Sequence, residues 1–233
     1  LVVHHKDGRF SLPFDLTVTS GKDHPDTFEA HLAAEILGAP INLRTDLSLR
    51  QNRLAVRADL GPLRLGRLVD LASRPAGLHL SGDLSASSEA HLTLFPVSLQ
   101  SLSAELTAHL DAGRMAGVRL RPTDSTSGPV RIRLTGNPDD GLDLMVQSIG
   151  LAEPLAAVLD EASVRLRPTP AGDWAADGRV AARLLPADAG DTVPLSPGSP
   201  LPLAVEWSGW REAAGRWAVS LSSVSPPDGP DRV

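Results

Sequence analysis

The 233-residue sequence contains no cysteine and no tyrosine, and aromatic residues make up 3% of it. The missing cysteines exclude disulfide bonds, zinc sites with thiolate ligands and cysteine nucleophiles. Lysine occurs only at Lys6 and Lys22, and the basic residues form no continuous run. Nucleic-acid sites need basic patches and stacking aromatics, so we expect no nucleic-acid partner for this chain of net charge -6.

Catalytic and metal-binding signatures are also missing. The sequence has no G-x-S-x-G motif, no phosphate-binding loop and no H-E-x-x-H motif. The carboxylate-bearing loops at Gly21–Asp26 and Gly136–Asp143 lack the spacing of a calcium loop. Four histidines occupy polar positions of predicted strands, namely His31, His79, His91 and His109. We therefore expect no enzymatic activity, no metal site and no cofactor.

Membrane-spanning and targeting signals are absent as well. No apolar run approaches the ~20 residues that cross a bilayer, and there is no signal peptide. The first residue is Leu1 rather than a methionine, and the last residues read as a loop. We expect the sequence to be a segment of a longer polypeptide.

What the sequence does contain is a regular alternation of apolar and polar residues. In the stretch GLHLSGDLSA at residues 77–86, Leu78, Leu80 and Leu84 are separated from one another by polar side chains or glycine. A period of two residues predicts a β-strand with one apolar and one polar face. The pattern recurs between Phe10 and Leu184, which predicts a mainly β fold of antiparallel strands.

Two short stretches depart from this alternation. The apolar spacing becomes helical at residues 65–72, where Leu65, Leu68 and Val69 form a stripe, and again at residues 153–161. We predict one short helix at each place. The chain then divides into an amphipathic sheet at 1–185, a Pro/Gly/Ser-rich loop at 186–202, and a terminal hairpin with a loose tail at 203–233.

A sheet with one apolar face has to bury that face. One solution is a long antiparallel sheet that curls into a groove, and the alternative is a β-sandwich. Large aromatic side chains usually help to fill a sandwich core of this size. The scarcity of aromatics favours an open interior lined by Leu, Val and Ala, although a compact leucine-rich sandwich fits the same pattern.

The short helix LGRLVDLA followed by the strand GLHLSGDLSA resembles the AsmA-like superfamily of bacterial envelope proteins, which includes TamB, YhdP and YdbH. Residues 65–84 carry the best match to the pattern of that superfamily. Residues 150–168 match the same helix-then-strand pattern less well. The overall pattern of the sequence is most similar to the YdbH-like branch of the superfamily. The resemblance implies a periplasmic β-groove that is anchored to the inner membrane by a helix outside this sequence. It also implies transport of phospholipid toward the outer membrane, and contacts with neighbouring segments of the same long chain and with envelope partner proteins.

If the apolar face is a groove, its inward side chains are the surface that binds phospholipid acyl chains. The residues that we expect on this surface are Leu12, Phe14, Leu16, Leu32, Leu43, Leu47, Leu54, Val56, Leu78, Leu80, Leu92, Leu94, Leu106, Ile132, Leu134 and Leu144. The competing hypothesis is a structural or adhesive β-sandwich or solenoid module of a bacterial surface protein, with no lipid cargo.

Overall fold

The computed structural model describes most of the chain. The described residues are 2–5, 8–11, 14–21, 26–71, 78–115, 117–123, 128–153, 156–169, 174–185, 201–211 and 217–225. Their strands are β1 (Val2–His5), β2 (Gly8–Ser11), β3 (Phe14–Ser20), β4 (Thr27–Ile36), β5 (Ala39–Ser48), β6 (Arg53–Arg64), β7 (Leu78–Leu94), β8 (Val97–Met115), β9 (Val118–Leu120), β10 (Val130–Asn137), β11 (Gly141–Glu153), β12 (Ala157–Pro168), β13 (Trp174–Leu184), β14 (Leu201–Arg211) and β15 (Trp217–Ser225). A single helix within these residues, α1, spans Leu65–Leu71.

The strands from β3 to β15 form one curled antiparallel sheet. Each strand pairs with the next in chain order, except that β8 pairs with β10 and the short β9 pairs with β8 and β11. β1 and β2 pair with each other as a separate hairpin. The expected mainly β fold with one long curled sheet is therefore confirmed. The described strands are not divided between two stacked sheets, so the β-sandwich alternative is wrong as a description of the fold.

The register of the sheet aligns the apolar residues of successive strands. Side chains alternate between the faces of a strand, so residues that are paired across strands share a face. One row of paired residues crosses the sheet from β3 to β14 and consists of Leu16, Leu32, Leu43, Ala58, Ser88, Ala104, Leu134, Leu144, Val164, Gly178 and Trp207. We call the face that bears this row the apolar face and the opposite side the polar face.

Helix α1 packs on the apolar face beside β7 and β8. Leu65 is 4% exposed and forms a buried cluster with Ala108, Leu110 and Val130. Arg67 on the outer side of the helix donates a hydrogen bond of 2.6 Å to the carbonyl of Leu37, which joins α1 to the turn between β4 and β5. The predicted first helix is confirmed, but Leu68, which we expected in its buried stripe, is 40% exposed.

The predicted second helix at residues 153–161 is wrong. β11 extends to Glu153 and β12 begins at Ala157, while residues 154 and 155 lie outside the described residues. The pairing of β12 with β13 shifts between Leu159 and Glu161, which is a β-bulge. A bulge inserts one residue and changes which positions face the core. The apolar spacing therefore becomes three residues, from Leu159 to Ala162, and imitates a helical period.

Glycine has a specific role in the stretch GLHLSGDLSA. Gly82 lies where the register of β7 and β8 shifts, and its φ is +130°. A Cβ atom at this position would collide with the backbone carbonyl of His109. Only glycine combines this backbone conformation with such a close strand approach. The glycine of the Gly-x-Leu pattern thus marks the bulge beside α1.

The C-terminal hairpin continues the main sheet. β14 pairs with β13 from Ala175 to Leu184, and β15 pairs with β14. The predicted terminal hairpin is confirmed, although it begins at Leu201 rather than residue 203. Residues 186–200 of the predicted loop, and 226–233 of the predicted tail, lie outside the described residues.

We expect α1 to hold its place on the sheet mainly through Leu65. Leu65→Ala leaves a cavity under the helix, and we expect it to lower the free energy of unfolding by about 2–4 kcal/mol. Leu68→Ala removes the same atoms from an exposed position and should change stability by less than about 0.5 kcal/mol. Urea unfolding of both variants measures the difference, and equal losses would show that α1 is not anchored by Leu65.

Candidate functional site

The apolar face brings the predicted acyl-binding residues together. The sheet register puts fifteen of the sixteen residues on this face, and Leu12 lies outside the described residues. A second row of paired residues runs beside the row through Leu16, and consists of Phe14, Ala34, Ile41, Leu60, Ala86, Leu106, Ile132, Val146, Ala162, Val180 and Val205. The surface is therefore continuous across the strands.

Most of the apolar face has no protein layer above it in the described residues. None of the large side chains described is fully buried, and Leu144 in the middle of the sheet is 36% exposed. On strand β3, Phe14, Leu16 and Val18 are more than half exposed. A sheet packed against a second layer would have fully buried side chains in its central rows. The apolar face is thus exposed on β3 and at Leu144, while its other candidate residues are half-buried and none is fully covered.

Three of the predicted residues belong to the core beneath α1. Leu80, Leu106 and Ile132 pack against the buried cluster that contains Leu65. Their side chains support the helix, so a substitution at these positions tests folding before it tests ligand binding. The remaining described candidates lie outside this cluster.

A depression of about 610 Å³ adjoins the helix. Its lining includes Gly66 and Val69 of α1, Leu78 and Leu80 of β7, and Ala112 of β8. A larger depression of about 770 Å³ is lined mainly by polar-face residues, among them Arg133, Arg165 and Arg179. The surface depressions in the described part of the chain are therefore not confined to the apolar face.

The polar face is covered by ion pairs between neighbouring strands. Arg44 lies 2.7 Å from Glu29, Arg133 lies 2.9 Å from Glu105, and Arg167 lies 2.7 Å from Asp177. The sequence indicates this arrangement, because the arginines of the strands alternate with the apolar residues. Ion pairs of this exposed kind contribute little to stability, but they keep the polar face hydrated.

A branched cluster on this face joins Arg57, Glu89, His91 and Arg53. Arg57 and the Nε2 atom of His91 each lie 3.0 Å from Oε1 of Glu89. Arg53 lies 3.2 Å from Nδ1 of His91, so the two ring nitrogens of His91 join Arg53 to Glu89. The hydrogen bond from Arg57, together with the charge of Arg57 and the contact with His91, lowers the pKa of Glu89 below its ordinary value.

No group of three or more His, Asp or Glu side chains that could hold a metal ion occurs in the described residues. Among the same residues, no helix is long and apolar enough to cross a bilayer. The geometry that the structure does provide is a wide apolar surface with an ion-paired reverse side.

The sequence reasoning missed an exposed apolar group at the turn between β7 and β8. Phe95 is 78% exposed and Val97 is 77% exposed. Pro96 predicted that a strand ends here, but it did not predict that apolar side chains are exposed at the turn. Polar residues are usual at hairpin turns. The run Phe95-Pro96-Val97 was the available signal, because it places large apolar side chains where turn formers are expected.

Comparison with known proteins finds no protein-family model, no curated protein and no solved structure that matches this chain.

The cluster around Glu89 predicts a pH-dependent contribution to stability. Because the pKa is lowered in the folded state, the contribution is present above the ordinary carboxyl pKa of about 4.3 and is lost as the pH falls through the lowered value. We expect Arg57→Gln to raise the Glu89 titration midpoint toward the ordinary value, as measured by NMR of the side-chain carboxyl. Arg133→Gln removes an equally exposed arginine and should leave Glu89 unchanged. A midpoint that does not respond to Arg57→Gln contradicts the assignment.

Proposed function

We propose that the apolar face binds the acyl chains of phospholipids, and that this chain is a lipid-carrying segment of an AsmA-like envelope protein. The observation that carries the proposal is the pair of continuous apolar rows on a sheet face that no second layer covers within the described residues. On this proposal the segment has no catalytic role. It works in the periplasm, between the inner and outer membranes, as the resemblance of residues 65–84 implies.

The dimensions and chemistry of the apolar face suit flexible hydrocarbon. Strands lie about 4.8 Å apart, so the rows from β3 to β14 extend for roughly 50 Å across the sheet. The side chains in the rows are mostly Leu, Val, Ile and Ala, which offer no directional contact. Each methylene group removed from water contributes about 0.8 kcal/mol, so an acyl chain is held without a specific polar partner.

The arrangement also explains why the two faces differ so strongly. A lipid carrier in water needs one surface for the guest and another that stays hydrated. The ion pairs of Arg44, Arg133 and Arg167 supply the hydrated side, and they belong to the same strands that present the apolar rows. A phospholipid on the apolar face would leave its headgroup in water at the rim of the sheet.

The proposal predicts that phospholipid accompanies the purified protein. Native mass spectrometry of protein prepared without detergent should detect bound phospholipid with a broad range of chain lengths. Leu144→Asp places a carboxylate on the exposed centre of the apolar face, and we expect it to reduce the retained lipid about tenfold, because a charge is expensive to cover with hydrocarbon. Met145→Asp makes the same change on the opposite face of the same strand and should retain lipid normally.

A second measurement separates loss of binding from loss of folding. A photoreactive benzophenone amino acid in place of Leu144 should cross-link to phospholipid, whereas the same group in place of Met145 should not. If lipid-free protein is obtained repeatedly, and added phospholipid cross-links equally at both positions, the apolar face is not a lipid site.

A further inference from the structure

Two neighbouring hairpin turns form a compact apolar projection at one end of the sheet. Phe95 and Val97 at the turn between β7 and β8 are the two most exposed large hydrophobic residues in the described part of the chain. Leu49 at the turn between β5 and β6 is also exposed, at 49%. Asn52, in the turn that contains Leu49, contacts Phe95 directly. We call Leu49, Phe95 and Val97 the apolar tip.

The backbone of this tip is already hydrogen-bonded. The side chain of Asn52 donates to the carbonyl of Phe95 at 2.7 Å and accepts from the amide of Phe95 at 2.9 Å. The amide of Leu94 donates to the carbonyl of Asn52 at 3.3 Å, and the hydroxyl of Thr93 donates to the carbonyl of Pro96 at 3.0 Å. Pro96 has no amide proton. The polar backbone groups at the summit of the turn therefore have partners within the protein.

The hydrogen bonding of its backbone groups determines whether a turn can leave water and enter the apolar part of a bilayer. A turn that leaves water for hydrocarbon loses the hydrogen bonds that water supplied, unless the protein replaces them. Here Asn52 and Thr93 replace them, and the side chains that remain at the surface are apolar. From this combination we infer that the apolar tip inserts into the interfacial region of a lipid bilayer and docks the protein on a membrane surface.

The size and charge of the tip favour a membrane over a protein partner. A stable protein interface needs about 20–30 residues on each side, whereas the tip presents three large apolar side chains. Shallow insertion of a few such side chains is sufficient for reversible membrane binding. Arg50 is exposed beside Leu49, and Arg53 follows at the start of β6. These cations suit the negative surface of a bilayer that contains anionic lipid.

Other ionisable residues in the described part of the chain also lie near the tip. Asp26 accepts a hydrogen bond from the amide of Leu49 through its backbone carbonyl, and Nδ1 of His91 lies 3.2 Å from Arg53. The inference does not depend on the proposed lipid cargo, because it concerns residues at the end of the strands rather than the apolar rows. A protein that carries no lipid can still dock on a membrane through the apolar tip, and a protein that does not dock can still carry lipid.

Vesicle flotation tests the inference. The full chain should float with vesicles of phosphatidylethanolamine and phosphatidylglycerol, and more weakly with phosphatidylcholine alone. Phe95→Ser should reduce binding about tenfold, as expected for one large apolar side chain. Leu68→Ser removes a large apolar side chain that is 40% exposed on α1, outside both the apolar tip and the apolar rows, and should bind as the original chain does. Arg50→Gln should reduce binding to the anionic vesicles about fivefold.

A fluorescent label reports insertion directly. The chain has no cysteine, so Val97→Cys and Ser103→Cys each create a single labelling site. An environment-sensitive dye at residue 97 should brighten on the anionic vesicles and be quenched by brominated lipid, while the dye at residue 103 on the polar face should not respond. Asn52→Gly keeps the turn conformation accessible but removes both side-chain bonds to Phe95, and should weaken binding although every apolar side chain remains.

Three outcomes would overturn the inference. One is equal flotation of Phe95→Ser and the original chain. Another is a dye at residue 97 that does not respond to vesicles. The third is self-association, or binding to another protein, that depends on Phe95 while vesicle binding is absent. Loss of co-purified lipid in Leu144→Asp with unchanged flotation would separate the lipid cargo from membrane docking.

Discussion

The alternation of apolar and polar residues, kept in register across the whole sheet, is the constraint on which this structure depends. A one-residue slip in any strand would move its apolar side chains to the polar face. The rows through Leu16 and Phe14 show that the pairing avoids such a slip over many consecutive strands. The same strand register therefore produces both the continuous sheet and its single apolar face.

Where one strand contains an extra residue, a β-bulge accommodates it and the apolar side chains stay on one face. At the shift between Leu159 and Glu161, one strand gains a residue, and Ser148 on the facing strand β11 takes a positive φ of 64°. At Gly82 the shift is accommodated by a residue without a side chain. In both places the apolar side chains beyond the bulge return to the apolar face. The bulges therefore preserve the two-sided character of the sheet rather than interrupt it.

Buried side chains occur in more than one part of the sheet. Leu65 of α1 packs with Ala108, Leu110 and Val130, and further buried residues lie on the C-terminal strands at Ala157, Val158, Ala176 and Ala204. The apolar face elsewhere stays accessible to a guest. The lipid-binding role that we propose rests on this accessible apolar face.

The sequence by itself determined the strands, the two faces and the first helix, because each depends on side-chain periodicity within a short stretch. By the same argument it placed all sixteen candidate residues on one face, and the fifteen that the structure describes share that face. Tertiary structure decided the rest. In the described strands no second sheet covers the apolar face, and a strand replaces the predicted second helix. Leu80, Leu106 and Ile132 support α1. The tertiary structure also decided the apolar tip, since Asn52 and Phe95 are 43 residues apart and meet only when β6 pairs with β7. Periodicity is a local property, whereas coverage and exposure depend on which distant segments become neighbours.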